Sequence, residues 1–112
     1  MVFVWWRKMK QLSDSPHDHI YTEVQYDRDV KKIVNFVVIQ LFEYDGVVYE
    51  VKKHDTAHGK YHIHCYYERF HSAVIETDEP ITAGLFHLAK KDICDNWKHY
   101  HYRYARKYFA FK

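Results

Sequence analysis

The chain has 112 residues, 47% hydrophobic and 29% charged, with a formal net charge of +2 at pH 7. That size holds one core, and the composition excludes a largely disordered chain. The weak net charge excludes nucleic-acid binding by bulk electrostatics alone, so the distribution of charge matters more than its sum. Rings are in excess, with 11 Tyr, 7 Phe, 3 Trp and 10 His, which supply both core volume and polar tips.

The start "MVFVWW" is too short for a signal core or a membrane span, and basic residues follow rather than precede it. Cys65 and Cys94 are far apart and form no CxxC pair. A reduced protein of the cytoplasm, without membrane attachment, is the expectation. Residues 1–19 end in "QLSDSPHDH", a polar run that predicts an N-terminal arm or linker; residues 20–112 are expected to form a single domain.

From Ile20, "IYTEVQY" predicts a strand, "DRDV" a turn and "KIVNFVVIQLFEY" a long central strand. Asp45-Gly46, set between two apolar runs in "YDGVVYEV", predicts a two-residue type I′ hairpin. That turn would place Tyr44 opposite Val47, Phe42 opposite Tyr49 and Gln40 opposite Val51. Leu41 with Glu50, and Ile39 with Lys52, would share the other face. A short connection through Gly59 leads to "KYHIHCYYERF", whose alternation sends Ile63, Cys65 and Tyr67 one way and His62, His64, Tyr66 and Glu68 the other. "HSAVIET" supplies a further short strand candidate.

From Pro80 the period changes. Leu85, Ala89, Ile93, Trp97, Tyr100 and Tyr104 recur every three or four residues, the stripe of a long amphipathic helix with Thr77 or Asp78 as its cap. The expected fold is therefore α+β: an antiparallel sheet of four or five strands with one long C-terminal helix packed on the Ile63/Cys65/Tyr67 face. Strand edges and aromatic surface make a homodimer an open expectation.

The chemistry concentrates in "HDTAHGKYHIH", residues 54–64. His62 and His64 project from one face of a strand, and His58, His54 or Asp55 could join them from the preceding loop. Two roles are open. A metal site would use the H-x-H pair, although no established ligand spacing is present; His17 and His19 form a second, adventitious pair.

Metal-free cleavage of RNA by its own 2′-hydroxyl would instead take its acid and base from His58, His62 and His64, whose ordinary pKa lies near neutrality. Asp55 would orient a histidine, Tyr61 or Tyr66 would position or shuttle a proton, and Lys53, Lys60 or Arg69 would hold phosphate. No cofactor is required. His87, His99 and His101 are expected on the helix surface. The C-terminal "WKHYHYRYARKYFAFK" interleaves rings with Lys98, Arg103, Arg106 and Lys107 and carries no acid, a pattern able to grip a phosphate backbone and stack bases. It equally suits a solvated helix face complementing the helix dipole, and a non-enzymatic protein- or nucleic-acid-binding module is the alternative to the ribonuclease.

The order "FVVIQLFEYDGVVYEV", "HDTAHGKYHIH" and "KKDICDNWKHYHYRYARKYF" resembles a small, largely uncharacterised archaeal and bacterial domain family. In that family a hairpin is followed by Y/H-D-T-A-H-G, another histidine, and a helix bearing D-I-x-x-N-W-x-x-Y. The resemblance spans roughly residues 33–108. The positions carried over are Asp55, Thr56, His58 and Gly59, with His62 or His64 as the later histidine. His54 stands where an aromatic residue is expected, which leaves its role open. The family is in turn similar to the toxin component of TumE-class toxin–antitoxin modules. That likeness implies an intracellular toxin acting on RNA or translation, with an antitoxin protein as partner.

Overall fold

The computed structural model describes residues 2–68 and 73–109. Six strands, β1 (Phe3–Gln11), β2 (Asp18–Asp27), β3 (Lys32–Tyr44), β4 (Val47–Asp55), β5 (Tyr61–Cys65) and β6 (Ala73–Thr77), precede one helix, α1 (Ala83–Tyr108). The strands form one antiparallel sheet in chain order, a simple meander. The α+β class and the long C-terminal helix on one sheet face agree with expectation; the count of four or five strands is corrected to six.

The additional strand is β1, in the stretch expected as an arm. It pairs with β2 along its whole length, from Phe3 opposite Asp27 to Gln11 opposite His19. Its side chains are mostly exposed, as on an edge strand that needs no clean apolar alternation. The "LSDSPH" run is the tight connection, closed by the Leu12 N–H on the Asp18 carbonyl at 2.8 Å.

The Asp45-Gly46 turn adopts the expected geometry, with φ of 52° and 79°. Tyr44 faces Val47, Phe42 faces Tyr49 and Leu41 faces Glu50 as predicted. Beyond this the register differs. A β-bulge between Gln40 and Leu41 leaves Val51 unpaired, so Gln40 faces Lys52 and Ile39 faces Lys53. The extra residue turns both Val51 and Lys52 toward the helix and reverses the alternation that follows. Lys52 and His54 thereby point under α1, while Lys53 and Asp55 point to the open face.

Thr82 caps α1, its hydroxyl accepting the Leu85 N–H at 3.1 Å. The cap therefore sits four or five residues beyond the expected Asp78 or Thr77. The predicted stripe is the buried one: Ala89, Ile93 and Tyr104 are buried, and Leu85, Trp97 and Tyr100 pack against the core. They meet Phe36, Val38 and Val51, three side chains at 1% exposure or less. Burial of each such side chain is worth about 1.5–3 kcal/mol. Among the described residues no helix is long and apolar enough to cross a membrane. Since α1 covers only one side of the sheet, the other side is left to its own side chains.

Candidate functional site

The bulge divides the charged residues of β4 between two centres on opposite faces. Under the helix lies a closed network. Lys52 Nζ is 2.7 Å from Asp92 Oδ2, and His54 Nε2 is 2.8 Å from the same oxygen. The Tyr100 hydroxyl donates to Asp92 Oδ1 at 2.5 Å, and Lys52 Nζ donates to that hydroxyl at 3.0 Å. Asn96 Nδ2 donates to the Asp92 carbonyl at 2.9 Å. In the neutral His54 ring, Nε2–H donates to Asp92, and Nδ1 accepts from the Tyr61 hydroxyl at 2.5 Å.

Burial pushes the Asp92 carboxyl up. Hydrogen bonds from His54, Lys52 and Tyr100 outweigh that and hold it well below the usual carboxylate range. Burial likewise works against the Lys52 charge, yet its bonds to Asp92 and Tyr100 raise the ammonium pKa overall. The carboxylate–imidazole–hydroxyl order resembles a relay that activates a nucleophile. Tyr61, however, is 6% exposed, and burial together with the Asp92 charge pushes its phenol up to about 12, the opposite of what a phenolate nucleophile needs. The network is a clamp that fixes β4 and β5 to α1.

The second centre is on the open face. Asp55, 8% exposed, is approached by His64 Nε2 at 3.2 Å, His62 Nδ1 at 3.5 Å and Lys53 Nζ at 3.9 Å. The two imidazole centroids are 6.0 Å apart. His62 Nε2 faces Glu76 at 3.3 Å, and the Tyr66 ring stacks on His64 at 5.8 Å. His62 Nδ1 is buried without an aligned hydrogen bond, one of two such side-chain atoms among the described residues. Beside Asp55 and Lys53 opens a cleft of about 330 Å³, floored by Val37 and Ile39 and reaching Trp5 on β1.

The "DTAHG" segment builds the corner that presents Asp55. Thr56, 1% exposed, accepts the Phe36 N–H at 2.9 Å and donates to Asn35 Oδ1 at 3.1 Å. The Ala57 N–H donates to Asp55 Oδ1 at 3.1 Å. Gly59 has the expected positive φ, 75°, and His58 shares that conformation at 59°. Thr56→Val keeps the shape but strands the Phe36 N–H. We expect a loss of about 1–3 kcal/mol in urea unfolding, and a loss below 0.5 kcal/mol, of the order of experimental noise for surface changes, would refute this account of the corner.

Of the residues singled out from sequence, the structure gathers Asp55, His62, His64 and Lys53. His58 lies on the exposed loop, and Tyr61 belongs to the clamp on the opposite face. Lys60 pairs with Asp78 at 3.3 Å, both exposed. Arg69 lies outside the described residues.

On α1, Lys98 is exposed near Trp97. Arg103, Arg106 and Lys107 line a separate cavity of about 560 Å³ with Tyr67 and Tyr102. His87 and His99 are exposed as expected; His101 is not a free surface residue, its Nδ1 lying 2.6 Å from the buried Asp18 carboxylate.

Sequence reading missed Lys52, Asp92 and Glu76. Asp92, Asn96 and Tyr100 recur at four-residue steps and are the D, N and Y of the D-I-x-x-N-W-x-x-Y segment, signals that could have marked a polar helix stripe. No group of three or more His, Cys, Asp or Glu among the described residues has the geometry to hold a metal ion.

No curated protein and no solved structure matches the chain. The family described as "Domain of unknown function (DUF7718)" has a model that matches residues 7–110. With nearly the whole chain matched, from β1 to the end of α1, the protein belongs to this uncharacterised family.

Proposed function

We propose that the open face binds RNA and cleaves it by metal-independent acid/base chemistry at His62 and His64. The observation that carries this reading is the pair of imidazoles 6.0 Å apart on one carboxylate, with Lys53 beside them and a cleft alongside. His64 keeps Nε2 toward Asp55 at 3.2 Å, which leaves Nδ1 to take the proton of a 2′-hydroxyl. The 2′-oxygen attacks phosphorus, the bond to the 5′-oxygen breaks, and His62 supplies that oxygen with a proton. Lys53 offsets charge on the pentacoordinate phosphate. The products are a 2′,3′-cyclic phosphate and a free 5′-hydroxyl. The TumE-class resemblance supports the same direction, a cytoplasmic toxin restrained by an antitoxin protein.

Incubation of the purified chain with RNA in excess EDTA tests this. Cleavage leaving 2′,3′-cyclic phosphate ends is the expected result. Intact RNA, or cleavage abolished by EDTA, would overturn it.

A second reading, a non-enzymatic nucleic-acid-binding module, is favoured by the cavity at the end of α1. There Arg103 lies over the Tyr67 ring at 4.8 Å and Arg106 near the Tyr102 ring at 5.7 Å. Cations held on rings suit a phosphate backbone with stacked bases. RNA binding without cleavage, lost on Arg106→Ala, would decide for it.

A further inference from the structure

The cleft on the open face crosses four strands. Trp5 of β1 forms one wall, 46% exposed, with the Arg7 guanidinium over its ring at 5.8 Å from the centroid. Asp55 and Lys53 of β4 form the other, and Val37 and Ile39 of β3 make an apolar floor. Glu23 of β2 stands over that floor with its side chain 21% exposed. The Tyr21 hydroxyl donates to one Glu23 oxygen at 2.8 Å, and Arg7 approaches the other at 3.5 Å, so the carboxylate is held in place and retains lone pairs for a ligand. Asn35 is committed, donating to Gln25 and accepting from Thr56.

An aromatic wall, an apolar floor and one fixed acceptor describe a site for a flat heterocycle with donors on its edge. At about 330 Å³ the cleft is near the small end of ligand sites, about 300–1,000 Å³, which suits a base with part of its sugar rather than a large cofactor.

We infer that this cleft is a nucleobase subsite selecting guanine, a proposal resting on the RNA-acting reading of the adjoining His62/His64 centre. Guanine alone among the four RNA bases presents two adjacent donors, N1–H and the N2 amino group, to a carboxylate. Adenine and cytosine place an acceptor beside their amino group, and uracil offers one N–H between two carbonyls. Glu23 therefore pairs with guanine and faces an acceptor lone pair on each of the others. Asp55 touches both the cleft and the histidines, so a base seated against Trp5 brings its own 3′-phosphate toward Lys53, His62 and His64.

Calorimetric titration of the full chain with the 3′-monophosphates of guanosine, adenosine and cytidine tests the subsite apart from catalysis. The guanosine nucleotide is expected to bind at least about tenfold more tightly, the worth of a charge-assisted hydrogen bond. Glu23→Gln should erase the preference, and Trp5→Ala, on the exposed edge strand, should weaken all three. Equal binding of the three nucleotides, binding of none, or an undiminished preference in folded Glu23→Gln would overturn the proposal. RNA cleavage with no base preference would overturn it while leaving the cleavage reading intact. Guanosine-selective binding by a chain that cuts no RNA would uphold the subsite and remove the catalytic reading.

Discussion

Asp92→Ala is expected to destabilise the chain by about 3–5 kcal/mol in urea unfolding, the cost of removing one partner of a buried ion pair. The reason lies in what stays behind. Lys52 has a side chain 9% exposed, and its ammonium would keep the Tyr100 hydroxyl and the Tyr100 and Tyr67 rings but no counter-charge; His54, 4% exposed, would lose the acceptor for Nε2–H. Asp92→Asn retains an acceptor and should lose less. Lys52→Met in the Asp92→Ala background should restore part of the stability, because an apolar side chain removes the stranded charge. A loss below about 1 kcal/mol for Asp92→Ala would be a surface-pair value and would show that the clamp does not hold β4 and β5 to α1.

The same carboxyl sets an acid limit. Its folded pKa is below its unfolded value of about 3.9, so its contribution is complete above that pH and is lost as pH falls toward the depressed folded value. Asp18 acts in the same direction: burial opposes its charge, but bonds from His101 and Ser15 lower its pKa overall. Lys52 behaves oppositely. Its raised pKa contributes fully below about 10.4 and is lost only as pH climbs through the raised value. The gap in stability between the intact chain and Asp92→Asn should therefore narrow as pH drops below about 4.

Why the clamp escaped sequence reading follows from the bulge. The run "FVVIQLF" is apolar at nearly every position, so its pattern is the same in both registers and contains nothing to mark Gln40/Leu41 as the break. Without the break, Lys52 falls on the open face and no partner for Asp92 exists. The Asp45-Gly46 turn, the α1 stripe and the outward His62/His64 pair depend on local geometry, and all three were legible. The β1 edge was not, because an exposed strand of mixed Trp, Arg, Lys and Met lacks the period-two signal that burial imposes. The His54 partners Tyr61 and Asp92 lie 7 and 38 residues away in the chain, so their meeting is a product of the folded topology.

Under the cleavage reading, His62→Ala and His64→Ala are each expected to lower the rate of RNA cleavage by about 10²–10⁴-fold, the range for removal of a general acid or base. Both side chains are partly exposed, at 18% and 23%, on a face that no helix covers. Their removal should therefore move the urea midpoint far less than Asp92→Ala does. The double variant should lose little more than the worse single one, since groups that act in one step do not add. Tyr61→Phe supplies the contrast. It takes the hydroxyl from His54 on the opposite face, so stability should fall by about 1 kcal/mol, with the cleavage rate nearly unchanged. The reverse pattern, cleavage indifferent to His62 and His64 but abolished by Tyr61→Phe, would move the chemistry beneath the helix and identify the Asp92–His54–Tyr61 order as the working relay.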